Sequence, residues 1–173
     1  MRRIAGITLA LLTMACAASA QSLSLTAGYQ LVHILDETFP LGFNVDVGVP
    51  VGGGLAVVGE AGFAHDNRNE PPSTATSNNL SNFGAGLRFG ATGAGAFVQV
   101  IAGGVHTSAN VNNGAGPTPA ADTAFMLQPG IGIAAPVARA ASVVVQGDYR
   151  RAFFKEEAEN EFRLFLGVRI IAR

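Results

Sequence analysis

From Leu41 to Val51 the chain alternates without a break. Leu41, Phe43, Val45, Val47, Val49 and Val51 are apolar, and Gly42, Asn44, Asp46 and Gly48 between them are not. A two-residue period places the first set on one face of a β-strand and the second on the other. The same pattern recurs about eight times, and nothing after residue 20 sustains a 3.6-residue apolar period. Strands are predicted near 23–33, 41–51, 55–65, 81–90, 96–106, 124–135, 142–152 and 161–171. Lengths of about nine to twelve residues suit a tilted strand crossing a bilayer.

The connections alternate as well. Gly52-Gly53-Gly54, the stretch 91–95 (ATGAG) and 137–141 (VARAA) are short; 35–40 (LDETFP), 66–80 (DNRNEPPSTATSNNL), 107–123 (TSANVNNGAGPTPAADT) and 153–161 (FFKEEAENE) are longer and polar. Tight turns at one end and four long loops at the other predict an all-β, eight-stranded antiparallel up-and-down barrel, with both termini on the short-turn side.

The two faces differ sharply. One collects Val, Leu, Ile, Phe and Ala along every strand. The other collects Asp46, Glu60, Arg88, Gln99, Gln128, Gln146, Asp148, Arg150, Arg163 and Arg169, with many glycines between them. That charged face holds three acids and four arginines and no lysine, a mixture suited to packed ion pairs. Phe43, Phe63, Phe83, Phe125, Tyr149 and Phe162 fall near the loop ends of strands and predict an aromatic girdle at a membrane interface. The predicted barrel is therefore inverted: apolar side chains face lipid, and the polar ones fill a lumen too narrow for much water. The opposite sense, a secreted soluble ligand-binding barrel, has the same periodicity with the faces exchanged.

Export decides which sense is expected. Residues 1–20, MRRIAGITLALLTMACAASA, have a basic start, an apolar stretch and small residues at Ala18 and Ala20, which describes a signal peptide cleaved before Gln21. The apolar stretch is too short for a membrane-spanning helix. Cleavage leaves 153 of the 173 residues as one barrel domain, 21–173, and loss of Arg2 and Arg3 lowers the net charge from −1 by two, to −3. Cys16, the only cysteine, lies in the leader, so the mature domain has no disulfide or thiolate metal site; lipidation at Cys16 is the competing reading. With Lys155 the sole lysine, no basic patch speaks for nucleic acid.

With the leader, the eight alternating strands and phrases such as AFVQVIAGGVH (96–106), FMLQPGIGI (125–133), VVVQGDYRR (143–151) and NEFRLFLGVRI (160–170), the chain resembles small outer-membrane β-barrels of the OmpA/OmpX type, often termed porin-like. The resemblance spans residues 21–173. It implies a monomer in the bacterial outer membrane, in contact with its lipid and lipopolysaccharide, inserted by the barrel assembly machinery. It also implies a non-enzymatic structural or surface-interaction role, exercised through the loops. One departure stands out: the family's last strand usually ends in an aromatic residue read by that machinery, and this chain has Ala172 there.

No catalytic set, metal site or cofactor motif emerges. His106-Thr107-Ser108 matches the spacing of a lipid A deacylase pair at the end of the fifth strand, and Asp122 is the first acid after it. His33, His65 and His106 end alternate strands and are expected as rim residues, too far apart for one metal. Glu156, Glu157, Glu159 and Glu161 read as a solvated acidic loop tip, with bridging of cations to lipopolysaccharide phosphates as the alternative. GAGP and PPST punctuate loops and cradle no phosphate, because no helix follows either.

Overall fold

The computed structural model describes residues 22–34, 37–70, 74–90, 94–112, 117–155 and 157–172, so the leader lies outside the described residues. Nine strands form one antiparallel sheet: β1 (Leu23–Ile34), β2 (Glu37–Phe39), β3 (Leu41–Gly52), β4 (Leu55–Glu70), β5 (Thr74–Gly90), β6 (Gly95–Asn112), β7 (Pro117–Ala138), β8 (Ala141–Phe153) and β9 (Ala158–Ala172). β1 pairs with both β2 and β3, each strand from β3 on pairs with the next in sequence, and β9 returns to β1 over twelve residue pairs, from Leu23–Ala172 to Ile34–Glu161. The sheet has closed on itself, which removes the edges that an open sheet would expose.

Eight staves make the wall, because β2 is the upper part of the β3 stave. Tyr29 pairs with Phe43 but Val32 pairs with Phe39, so the second strand carries one extra residue at Pro40. Proline has no N–H for the ladder and is accommodated as a bulge. The shift exchanges the faces: Phe39 turns inward and is buried, whereas Leu41 and Phe43 face outward. The Tyr29 hydroxyl donates to the Pro40 carbonyl and ties the bulge to β1.

At the opposite end the turns are short, as expected. Gly52, Gly53 and Gly54 all take positive φ, between 61° and 108°, which non-glycine residues adopt only with strain. The loop end departs from expectation. Of the four predicted long loops, two are strands for most of their length. β4 and β5 stay paired out to Glu70–Thr74, β5 and β6 to Ala75–Asn112, and β6 and β7 to Asn112–Pro117. The ladder of β4 with β3 ends at His65, and that of β7 with β8 ends at Phe125. Four strands therefore stand beyond their neighbours as one protruding sheet.

The direction of the side chains settles the inversion. Asp46 is 3 % exposed and Leu41 63 %. Along β9, Phe162, Leu164, Leu166, Val168 and Ile170 point out while Glu161, Arg163, Phe165, Gly167 and Arg169 are buried. Among the described residues twenty-six large apolar side chains are exposed, far more than the apolar patches a soluble monomer leaves in water. A soluble ligand-binding barrel would have these side chains in its centre. The wall is that of a membrane-spanning barrel.

Candidate functional site: the lumen network and the protruding sheet

The interior is layered. Toward the short turns, Phe97, Ala134, Val144 and Phe165 form a small apolar cluster. Toward the loops, Val32, Ile34, Phe39, Ala64, Leu80, Ile101, Val105, Ala124, Met126 and Ala152 form a larger one, which Val58 extends down β4 past Glu60. Between them lies the polar layer. The expected lumen was polar throughout, and these two apolar caps are an addition to it. Gly132 and Gly167 make the lower cap possible, since a Cβ at either would collide with the Phe97 or Phe165 ring.

Nine of the ten polar residues predicted for the lumen join one connected chain of contacts, which Asp46 enters from β3. Arg88 donates to Asp46 Oδ1 through Nη1 (3.1 Å) and to Gln99 Oε1 through Nε and Nη2 (3.0 and 2.8 Å). Gln99 Nε2 donates to Asp148 Oδ1 (3.3 Å), and Gln146 Nε2 donates to both Asp148 oxygens (3.0 and 2.9 Å). Arg163 sits at the centre: Nη2 lies 2.8 Å from Asp148 Oδ2 and 3.0 Å from Glu60 Oε2. Gln128 Nε2 donates to Glu60 (2.9 Å) and its Oε1 accepts from Arg150 Nε (2.8 Å). These groups come from strands on every side of the barrel, and Gln30 of β1 accepts from Arg163 Nη1 at 3.4 Å.

Arg169 engages a hydroxyl and an aromatic ring. Its Nε donates to Thr26 Oγ1 (3.2 Å), and its guanidinium lies 4.9 Å from the Phe97 ring centroid. Arg88 lies 4.8 Å from the same centroid, so one buried ring carries two arginines by cation–π attraction. Glu161, expected at a solvated loop tip, is instead fully buried and bonded to Arg150 Nη1 at 2.9 Å. Its parity with Arg163, two residues on, was the available signal. With Glu161 included, four carboxylates oppose four arginines, and each buried charge can be neutralised within the layer.

The six girdle aromatics lie on the outer face, Tyr149 half-buried and the five phenylalanines exposed. Phe43 pairs with Phe63, and Tyr149 meets Phe162 edge-on at 5.3 Å. Tyr29 and Phe153 belong to the same band; Phe153 stacks on Phe125 at 6.1 Å and carries Arg151 over its ring.

His106 and Ser108 share the outer face of β6. His106 Nδ1 is engaged by Thr123 Oγ1 at 2.8 Å, not by a carboxylate. Asp122 pairs with Thr107, so it belongs to the opposite parity, and its Oδ1 accepts from the Thr123 amide (2.7 Å). Among the described residues no acid is bonded to the histidine. His33, His65 and His106 sit on β1, β4 and β6, each bonded to a neighbouring strand through Nδ1. Among the described residues no group of three His, Cys, Asp or Glu is placed to hold a metal.

No protein-family model matches the chain, and no curated protein matches it in sequence. Solved structures do match it in shape. The Yersinia pestis attachment invasion locus protein Ail, in complex with the heparin analogue sucrose octasulfate, superposes with a TM-score of 0.67 at 16% identity, over 87% of this chain and 99% of that one. Neisserial surface protein A gives 0.59 at 14%, covering 88% and 97%. The N-terminal β-barrel domain of Pseudomonas aeruginosa OprF gives 0.56 at 17%, covering 86% and 97%. At such identities the likeness is one of fold, and this chain has the fold of the small, OmpA/OmpX-type eight-stranded outer-membrane β-barrels.

Proposed function

We propose that the protein is a non-enzymatic outer-membrane barrel that anchors a surface-interaction element, with a lumen that conducts nothing. The observation that carries this reading is the protruding sheet. β4 to β7 continue as paired strands beyond the ends of β3 and β8, so the chain invests its regular structure outside the membrane as well as within it. A rigid projection presents side chains at fixed spacing, which a mobile loop does not.

The lumen supports the same reading from the other side. A barrel of eight strands has an interior that side chains can fill. Here an ion-paired layer lies between two apolar caps, so a permeating ion would have to displace both. Attachment is named for the Yersinia pestis protein of the same fold; for this chain it motivates the assay.

Cells displaying the full chain are to be compared with cells displaying a barrel in which 67–78 and 108–121 are each replaced by a tight turn. Loss of surface adhesion with unchanged barrel yield supports the reading. Equal adhesion by both would remove it, and unitary conductance steps in planar bilayers would remove the closed lumen.

A further inference from the structure

The outward face of the protruding sheet continues the lipid-facing wall but changes its chemistry. In the row that begins with Phe63 at the girdle, Phe63 pairs with Ser81, Ser81 with His106, and His106 with Thr123. In the next row His65 pairs with Asn79, and Asn79 with Ser108. These six polar side chains share the parity of Phe63, Phe83 and Phe125. Four strands at about 4.8 Å spacing make the grid roughly 14 Å wide. The opposite face of the same strands bears Leu80, Val105 and Ala124, which close the lumen.

The grid is preset and uncharged at neutral imidazole. His65 Nδ1 lies 2.7 Å from Asn79 Oδ1. An amide oxygen only accepts, so Nδ1 carries the hydrogen and Nε2 of the neutral ring is left as an acceptor. Phe63 stacks on the same ring at 6.4 Å. His106 is held by Thr123. Hydroxyl, amide and imidazole groups above an aromatic band therefore offer donors and acceptors together, without carboxylate, lysine or arginine in the grid.

We propose that this face binds the saccharide portion of a glycolipid anchored in the leaflet around the barrel. Sugar hydroxyls are neutral and both donate and accept, which matches the grid. Recognition of a phosphate would call for arginine or lysine. Strand addition from a protein partner is disfavoured at the β7 edge, which opens with Pro117 and Pro119, residues with no N–H to give. The position selects the source. Acyl chains lie against the wall below, so the headgroups of the same lipids stand against the grid. Being anchored beside it, they reach a high local concentration, and modest hydrogen bonds suffice. The inference rests on the membrane-spanning reading.

The test uses the full chain reconstituted in phosphatidylglycerol bilayers doped either with lipopolysaccharide carrying its core sugars or with lipid A stripped of them. The measurement is the doped lipid retained per barrel after mild detergent extraction. Retention of the sugar-bearing lipid is expected to exceed that of lipid A by roughly tenfold, the equivalent of two or three neutral hydrogen bonds. The preference should fall to parity in an Asn79→Val, Ser81→Val, Ser108→Val variant; His106→Leu alone should lower it in part. None of these residues belongs to the lumen network, and heat-modifiable gel migration checks that each variant folds. Equal retention of both lipids by the unaltered chain overturns the proposal, as does a preference that survives the triple substitution. Soluble core oligosaccharide captured as strongly as lipopolysaccharide would overturn the leaflet as the source. If the membrane-spanning reading itself were wrong, neither lipid would be retained and no heat-modifiable form would appear.

Discussion

Replacing Arg163 with methionine tests the lumen at its most connected point. Arg163 Nε and Nη2 contact Asp148 at 2.9 and 2.8 Å, and Nη1 and Nη2 contact Glu60 at 3.2 and 3.0 Å. Methionine keeps much of the volume and removes the charge, leaving two buried carboxylates without their common partner. Breaking a buried ion pair from one side costs about 3–5 kcal/mol, since the remaining charge stays desolvated. Two charges are orphaned here, which argues for the upper figure. Asp148 keeps the amides of Gln99 and Gln146, and Glu60 keeps those of Gln128 and Asn82, which argues for the lower. We therefore expect a loss of about 3–4 kcal/mol. Equilibrium unfolding by urea in lipid vesicles reads it, with tryptophan-free detection by circular dichroism. The matching triple variant, Arg163→Met with Glu60→Gln and Asp148→Asn, leaves no orphaned charge and should recover most of the loss. A single variant that costs under about 1 kcal/mol would refute a desolvated network, because that is the range of exposed pairs. A triple variant as unstable as the single one would refute the account through orphaned charge.

Three further outcomes follow from the wall and its closure. Leu166→Arg places a cation midway along the outward face of β9 and should cost about 2–4 kcal/mol in a bilayer, measured by the same unfolding assay; a neutral effect would contradict lipid contact there. At Gly28, opposite Gly167 in the closing seam, a Cβ would collide with the Gly167 and Leu166 backbone. Gly28→Val should abolish the heat-modifiable folded band, and full folding would contradict the close approach of β1 to β9. Ala172→Phe should raise the yield of inserted barrel in cells, read as the folded fraction in the outer membrane, without altering the stability of the purified protein by more than about 0.5 kcal/mol.

What could be read from the chain was what repeats. Each stave alternates over enough residues that Val47 and Leu166 declare the outer face independently, and Asp46 and Arg163 the inner. What could not be read depends on single exceptions to the period. Phe97 and Phe165 are apolar at inward positions, where Gly132, paired with Phe97, and Gly167, two residues on from Phe165 along β9, leave room for their rings. Pro40 shifts the frame by one residue, so Phe39 is inside although its distance from Phe43 predicts outside. Glu161 sits in an acidic run that looks solvated, and its fate is set by Arg150 on the neighbouring strand β8. The segments 66–80 and 107–123 are rich in Asn, Ser, Thr and Ala, with no apolar alternation to betray a strand. Their pairing follows from β5 and β6 lying side by side, a tertiary fact.

The layering separates the projection from the barrel that carries it. An ion-paired layer open to water would be weakened by screening and by competition from solvent. The upper apolar cluster, from Val32 to Met126, stands between that layer and the loop end. Ala64, Leu80, Val105 and Ala124 in it come from the strands that continue upward as the protrusion, yet they face the opposite way from His65, Asn79 and His106. Substitutions on the outward face above the girdle therefore leave both the cap and the network untouched. The two halves of each strand answer to different solvents, lipid below and saccharide or water above. The register that joins them is held by hydrogen bonds between backbones, which every residue but proline can make in full. A protein so arranged can exchange its surface chemistry residue by residue without renegotiating its fold.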